Sequence, residues 1–387
     1  MSRIDDNLSD IIGQGYTPDD IKDAVIITLK DLFENENSLV QFAMTGDILN
    51  IWNFILRYNY DSSFIFSVKL ILSHYRQANN KSPLEVKIIY RDMFNHFISK
   101  ENIMWSINKD KLDLENTNLY DFTCSCMARI GSSLEVNLKN YLVEFYALLK
   151  IIKGKPIELD KIKKFDFGTI IKNILDMSGF EGILNISPLN IKVSDWRNIA
   201  YHHTYTVNGD DITCEYGKNE KKTFTIDRKQ LLYYVHEIVK YTNVFYIVHW
   251  IFFFDHFDEI IEFCKEDNIK TTPFQGTILK EYLKVSFSGQ GYQLVELQTS
   301  ELLTSIKLYD ELNTGSLDEQ SELKRKIHAS QFLYSIWCYF PAKTLCIEYC
   351  NKNGVTKAIF KVPGEVCELI GKGEEELSYL AGKFMIV

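Results

Sequence analysis

Residues 194–203, with the sequence SDWRNIAYHH, combine an arginine, an amide and two histidines in one short segment. Histidine ordinarily titrates near neutral pH, so it serves as a general base or a general acid. Arginine stays charged, and its forked N–H groups match two phosphate oxygens. Cleavage of RNA without a metal ion needs a base for the 2′-hydroxyl, an acid for the leaving 5′-oxygen and positive charge on the phosphate. The segment therefore indicates phosphodiester chemistry, and the candidate catalytic residues are Arg197, Asn198, His202 and His203.

The spacing of these residues on a helix limits what one copy of the chain does alone. Asn198 lies four residues before His202 and shares its face, which places the amide to orient the imidazole or to donate to a phosphate oxygen. Arg197 lies about 140° around an ideal helix from His202. One helix therefore positions the pair poorly on one phosphate, whereas two copies facing each other across a two-fold axis supply the missing groups. We expect a homodimer through this region.

Two helices are predicted before this segment. The apolar spacing indicates one long amphipathic helix over 119–151, or two helices broken near Gly131. A second helix is predicted over 158–178. Both helices have apolar faces that pack against neighbouring elements, so they form the support for the short segment.

Ser194 and Asp195 predict the start of a short third helix that carries the candidate residues. Residues 204–227 alternate and contain an Asn-Gly turn signal, which predicts a small β-hairpin insertion. A long fourth helix is predicted over 230–266, with Asp227 as its cap.

The segment and its surroundings resemble the HEPN superfamily, a group of all-α nucleotide- and RNA-binding domains. Its signature is an arginine, four to six further residues and a histidine, with a polar residue directly after the arginine. Arg197, Asn198 and His202 match that signature as they stand, and the resemblance covers residues 119–266. It implies a site at a dimer interface that cuts RNA without a metal ion and leaves a 2′,3′-cyclic phosphate.

The same resemblance implies a role as a toxin or as an abortive-infection antiviral effector, with a cognate antitoxin or a trigger protein as a partner. His203 also falls within the allowed spacing and is the reserve candidate beside His202. Glu135 resembles the polar helix position that often faces the site, and its alternative is a solvated surface glutamate. The alternative for the whole region is a non-catalytic HEPN-like module for nucleotide binding, protein binding or dimerisation, and an ordinary surface Arg–His pair is the least specific reading.

Two basic runs flank the segment in the sequence, and most such runs are solvated faces. Because lysines neutralise phosphates along a nucleic-acid backbone, these runs are also the best candidates for holding RNA. The candidate RNA-binding residues are Lys161, Lys163, Lys164, Lys221 and Lys222.

The whole chain is predicted to be mainly α, in three parts. Residues 1–112 form an N-terminal helical domain, 113–266 the HEPN-like helical bundle with its hairpin insertion, and 267–387 a C-terminal α+β domain. Within the last part, a hairpin is predicted from 282–287 and 292–297, followed by a helix over 299–311.

The composition excludes some classes of function. The 387 residues carry a net charge of -9, which argues against a protein that coats nucleic acid with a broad basic surface but leaves room for one local site. The longest apolar run, residues 244–254, is short of the ~18–20 residues of a membrane span. Acidic residues stand where a signal peptide has its cationic and apolar stretch. We therefore expect a cytoplasmic protein without a membrane partner.

The eight cysteines do not form the paired spacings of a disulfide framework or of a zinc ribbon. We expect free thiols, no metal ion and no cofactor.

Overall fold

The computed structural model describes residues 4–108, 117–178, 180, 184–217, 220–266, 277–315, 317–382 and 385–386. The chain is mainly helical, as predicted, with a smaller share of strand. It divides into two compact units, and we call them the first and the second unit. The first unit comprises residues 1–29, 40–53 and 273–387, and the second comprises residues 30–39 and 54–272.

The helices follow one another along the chain with short connections. They are α1 Ile4–Gly13, α2 Pro18–Leu29, α3 Glu36–Phe42, α4 Gly46–Tyr58, α5 Ser62–Lys81, α6 Pro83–Asn108, α7 Leu119–Ser132, α8 Lys139–Ile152, α9 Leu159–Ile162, α10 Phe167–Ser178, α11 Val193–His202, α12 Arg228–Asp255, α13 Phe257–Glu266, α14 Thr277–Gly289, α15 Glu319–Tyr339 and α16 Gly364–Gly371. The helices before residue 109 are shared between the two units, and the predicted domain boundary at 112–113 lies outside the described residues.

The strands form three separate sheets. They are β1 Asn185–Ile186, β2 Ile191–Lys192, β3 Tyr205–Asn208, β4 Asp211–Tyr216, β5 Lys222–Ile226, β6 Tyr292–Thr299, β7 Leu303–Asp310, β8 Thr344–Asn351, β9 Thr356–Pro363 and β10 Met385–Ile386. The predicted hairpin insertion is a three-stranded antiparallel sheet in the order β3-β4-β5. It lies between α11 and α12, where the sequence placed it.

α12 is the central helix of the second unit. Asp227 and Gln230 form a capping box that satisfies the first backbone N–H groups of α12, which fixes its start. The helix is buried along most of its length and packs against α5, α7 and α8. His249 of α12 is enclosed with Glu144 of α8, and its Nδ1 lies 3.0 Å from both carboxylate oxygens. The apolar run 244–254 is therefore core of this unit.

The predicted fourth helix over 230–266 is two helices, since the chain bends at His256 between α12 and α13. Among the helices of the described residues, none is by itself long and apolar enough to cross a bilayer. α3 and α4 meet those requirements only when the two are taken together as a bent pair.

The first unit contains a five-stranded sheet in the order β10-β9-β8-β7-β6. β7 and β8 are parallel and are connected through α15, whereas the other neighbours are antiparallel. One face of the sheet packs against apolar residues of α14 and α15, including Phe287, Phe332 and Leu333. An α+β arrangement was predicted for this part of the chain.

Two predicted elements within the first unit are wrong. The predicted helix over 299–311 is largely strand β7, and the predicted strand over 282–287 lies in helix α14. In β7 the buried residues recur at every second position, Thr304, Ile306 and Leu308, which is the period of a strand with one buried face. The hairpin in this region is therefore β6-β7, one element later than predicted.

Asp47 of α4 gives the first unit a testable pH dependence. Burial raises the pKa of the Asp47 carboxyl to about 6, although the Tyr282 hydroxyl donates a hydrogen bond to it. The folded chain thus holds this proton more tightly than the unfolded chain, whose Asp pKa is about 4. The protonated Asp47 carboxyl therefore contributes fully to folding stability below pH 4, and this contribution is lost as the pH rises through 6. Asp47→Asn removes that loss and keeps an oxygen acceptor for Tyr282, so we expect the variant to gain about 2 kcal/mol over the wild type between pH 4 and pH 7.

The measurement is the difference in urea midpoint between Asp47→Asn and the wild type at several pH values. Asp318→Asn is the matched control, because a hydrogen bond from Ser321 lowers the pKa of this exposed carboxyl and the pH trend has the opposite sign. A difference that stays constant from pH 4 to pH 7 would contradict the prediction for Asp47.

Candidate functional site

α11 is anchored on one side and presents the candidate residues on the other. Val193, Trp196, Ile199 and Ala200 are buried, and the helix packs against α7. The Trp196 ring lies 4.8 Å from the ring of Tyr234 on α12. The helix begins at Val193 with Lys192 before it, so the predicted start at Ser194 is displaced by one residue. This anchoring leaves Asn198 and His202 exposed and Arg197 half-buried.

The structure brings Arg197 and Glu135 together. Arg197 Nε donates to Glu135 Oε2 at 2.9 Å, and Lys139 Nζ donates to Glu135 Oε1 at 2.8 Å. Glu135 lies in a π-helical turn, Ser133–Leu138, that joins α7 to α8 without a break at Gly131. Such π turns occur frequently at functional sites, because the extra residue per turn redirects a side chain. Glu135 is therefore a paired, mostly enclosed carboxylate and not a solvated surface glutamate.

The remaining contacts of Arg197 come from its own helix. Nη1 donates to the Asn198 side-chain oxygen at 3.3 Å, and the guanidinium lies 4.5 Å from the centre of the Tyr201 ring. Within the described part of the chain, no hydrogen bond engages Nη2. Asn198 is thus bonded to Arg197 and not to His202.

Tyr201 and Lys139 belong to the site, although the sequence analysis did not select them. Tyr201 is 46% exposed. The edge of its ring lies against Gly131 of α7, where a Cβ would come within 3.3 Å of the ring. Glycine at position 131 therefore allows the ring to approach α7 and to lie beside Arg197.

The two histidines lie at the end of α11 and are not joined to Arg197. His202 is its last residue and is exposed, and its imidazole forms no hydrogen bond with the described residues. His203 has a positive φ of 52°, which ends the helix and turns the chain into β3. Its Nδ1 lies 3.5 Å from the hydroxyl oxygen of Tyr205.

Tyr205 connects the histidine end of the site to α7. Its hydroxyl donates to the sulfur of Cys124 at 3.7 Å. Burial and the neighbouring Cys124 raise the pKa of Tyr205, which therefore stays a neutral donor at physiological pH.

The predicted RNA-binding lysines lie in different surroundings. Lys161 is exposed and pairs with Glu158 at 3.2 Å, and Lys164 is exposed. Lys163 donates to the carbonyl oxygen of Asp92 at 3.2 Å. Lys221 pairs with Glu215 of β4. Lys222 lies near Asp195 of α11 and acts against the effect of burial, which raises the pKa of that carboxyl.

The described residues hold no group of three or more His, Cys, Asp or Glu side chains placed to bind a metal ion. No family model, no curated protein and no solved structure matches this chain. The resemblance to the HEPN superfamily therefore rests on Arg197, Asn198 and His202 and on the order of the surrounding elements.

Proposed function

We propose that this chain is a metal-independent endoribonuclease of the HEPN type that acts as a homodimer. The observation that carries the proposal is the arrangement of Arg197. Its Nε is held by Glu135 at 2.9 Å and its Nη1 by Asn198 at 3.3 Å, while Nη2 has no hydrogen-bond partner among the described residues. A guanidinium that is oriented through Nε and Nη1 is prepared to donate from Nη2 to a phosphate oxygen.

The chemistry follows from the residue types on this surface. A histidine takes the proton of the 2′-hydroxyl, the 2′-oxygen attacks the phosphorus, and the bond to the 5′-oxygen breaks. A second histidine gives a proton to the leaving 5′-oxygen, and the product carries a 2′,3′-cyclic phosphate. Arg197 neutralises the charge that develops on the phosphate oxygens, where a fixed donor is most effective.

Two copies of the chain complete this set of groups. In one copy, no side-chain hydrogen bond joins His202 to Arg197 or Asn198 within the described residues. Large side chains of the same unit remain exposed near the site, with Tyr201 46% and Tyr120 62% exposed. A two-fold contact over this surface covers these rings and brings a second His202 toward the phosphate on Arg197.

The biological role that fits this activity is that of a toxin or an abortive-infection antiviral effector in the cytoplasm. RNA cleavage then halts the host cell, and an antitoxin or a trigger protein controls the enzyme. This part of the proposal rests on the HEPN resemblance, because a fold and a site do not by themselves define a cellular role.

The second candidate function is a non-catalytic HEPN-like module that binds a nucleotide or a protein, or that dimerises as a sensor. The observation that favours it is that no side-chain contact among the described residues connects Arg197 with His202 at the end of α11. Arg197 is engaged by Glu135, Asn198 and Tyr201, whereas the imidazole of His202 has no hydrogen-bond partner among the described residues. Such a module binds an anionic ligand through Arg197 and leaves it intact.

The decisive experiment is an analysis of the cleavage products of purified protein on a labelled RNA. We expect 5′-hydroxyl and 2′,3′-cyclic phosphate ends, equal rates with and without EDTA, and no cleavage of the same sequence with 2′-O-methyl groups. Products with 5′-phosphate ends, or a loss of activity in EDTA, would contradict the mechanism. Binding of the RNA without cleavage at any protein concentration would favour the second candidate function.

A further inference from the structure

A cluster of three lysines around a histidine lies beside the Glu135–Arg197 pair in the same unit. It consists of His96 and Lys100 on α6, Lys139 at the start of α8, and Lys163 directly after α9. All three lysines act electrostatically on the His96 imidazole. Of these four residues, only Lys163 was selected from the sequence.

The His96 ring is held in a defined orientation. Its Nε2 lies 2.7 Å from the Asn140 side-chain oxygen, and Asn140 is 5% exposed. The amide N–H of Asn140 donates to the Val136 carbonyl, so the amide oxygen is the atom that faces His96. Nε2 therefore carries the proton and donates it, and the other ring nitrogen, Nδ1, has no protein partner among the described residues.

Lysines dominate the electrostatic surroundings of His96 among the described residues. Burial lowers the pKa of His96, the Asn140 oxygen raises it, and Lys100, Lys163 and Lys139 lower it further. Lys163 bonds to a backbone carbonyl of Asp92, which carries no net charge. The Asp92 carboxylate is itself paired with Arg91 at 2.8 Å.

Lys139 joins this cluster to the candidate catalytic site. It shares the Glu135 carboxylate with Arg197, at 2.8 Å and 2.9 Å respectively. Asp166 is the second acid that acts on Lys139, and hydrogen bonds from Thr169 lower the pKa of this carboxyl. These groups comprise two carboxylates, Glu135 and Asp166, and four cations, Lys139, Arg197, Lys100 and Lys163. The excess of positive charge produces a field that an anion neutralises.

We propose that Lys100, Lys139 and Lys163, which surround His96, bind a backbone phosphate of RNA next to the phosphate that Arg197 holds. The inference rests on the proposed function, since it extends the path of the same RNA strand. Lysine ammonium groups are typical ligands of phosphate oxygens, and contacts of this kind position a strand without reading its sequence. The site therefore fixes the register of the RNA over the catalytic groups.

The test measures the binding of a fluorescent 2′-O-methyl RNA oligonucleotide, which the proposed chemistry does not cut. The variant is Lys100→Gln/Lys163→Gln, because neither lysine contacts Glu135 or Arg197. We expect the affinity to fall on the order of tenfold, since charge-assisted hydrogen bonds are lost. We also expect the slope of log affinity against log salt to decrease by about 0.7 for the phosphate contact that is lost.

The matched control is Lys150→Gln/Lys155→Gln, which removes the same charge. Lys150 lies on α8 eleven residues after Lys139, about 16 Å along the helix. We expect this control to keep the wild-type affinity and salt slope. Circular dichroism melting of both double variants checks that neither change unfolds the protein.

Two outcomes would overturn the inference. One is a wild-type affinity and salt slope for Lys100→Gln/Lys163→Gln. The other is an effect seen only with an oligonucleotide that carries a 5′-terminal phosphate, because the ligand is then a terminal phosphate and not the backbone.

The result is separable from that of the proposed function, because binding is measured without cleavage. If the wild type cuts no RNA but the double variant loses affinity, the proposed function fails and the phosphate site stands. If the wild type cuts RNA and the double variant binds and cuts like the wild type, the phosphate site fails and the proposed function stands.

Discussion

Arg197→Ala is expected to reduce RNA cleavage by about a thousandfold while the protein stays folded. Removal of one fixed donor from the developing charge of a transition state costs about 10²–10³ in rate, and loss of the positive charge adds to it. The fold tolerates the change, because Glu135 keeps its partner Lys139 at 2.8 Å and the anchoring residues of α11 are untouched. The measurement is the single-turnover rate on a labelled RNA with excess enzyme.

The matched control for Arg197→Ala is Lys229→Ala, which removes an exposed cation at the start of α12. We expect this variant to cut RNA at the wild-type rate. Equal activity of wild type and Arg197→Ala, with equal melting curves, would show that the site has been assigned to the wrong residues.

The same assay separates the two histidines. His202→Ala is expected to lose about 10²–10⁴ in rate as a missing general acid or base. His203 occupies a left-handed conformation with φ of 52°, which glycine adopts without strain. We therefore expect His203→Gly to raise the melting temperature and to keep the activity. A loss of activity in His203→Gly, with an active His202→Ala, would assign the catalytic role to His203.

The site residues that lie close together in the sequence could be predicted, and those that other helices bring to the site could be predicted only in part. Arg197, Asn198 and His202 stand within six residues, so their helix and their chemistry were visible. Glu135 lies 62 residues before Arg197 and was selected through the family resemblance alone. Tyr201 and Lys139 were missed, yet each lies four residues after a selected residue, at the spacing that places side chains together on a helix.

The His96 cluster could not be predicted from spacing at all. It requires α6, α8 and the residues after α9 to meet in space, and nothing in the local pattern of residues 83–108 marks His96 as a neighbour of Asn140. Long-range packing decides such contacts, and a single sequence contains no direct record of them.

The fold was predictable where apolar residues recur with a clear period over a long segment. α11 and the strand-rich insertion lie where the pattern placed them, and α12 begins after its predicted cap but ends at Asp255. The errors occur in 282–311, where short apolar runs fit a strand and a helix equally well until tertiary burial decides. β7 is strand because its alternate residues meet α15 and β8, a contact that only the folded chain establishes.

Asp310→Asn is expected to destabilise the first unit by about 3–5 kcal/mol, the largest effect on stability that we expect from a single substitution. Asp310 is fully buried and accepts two hydrogen bonds from Arg325, at 2.8 Å from Nη2 and 3.0 Å from Nε. The Tyr349 hydroxyl also donates to it at 2.6 Å. The Arg325 guanidinium lies 3.9 Å from the centre of the Tyr292 ring. The amide leaves this enclosed guanidinium without its counter-charge and places N–H donors against other donors.

Hydrogen exchange of peptides that cover β7, β8 and α15 in the full chain is the appropriate measurement, because it reports the opening of this sheet and not of the second unit. Glu368→Gln is the matched control, since it breaks an exposed pair with Lys372 on α16 and we expect no measurable change in exchange. The double variant Asp310→Asn/Arg325→Met removes the charge that Asp310→Asn leaves unpaired, so we expect it to be more stable than Asp310→Asn alone. Faster exchange in the double variant than in Asp310→Asn would contradict this prediction. The Arg325 guanidinium would then be stabilised by the Gln290 and Gly291 carbonyls and by the Tyr292 ring, and not by the Asp310 carboxylate.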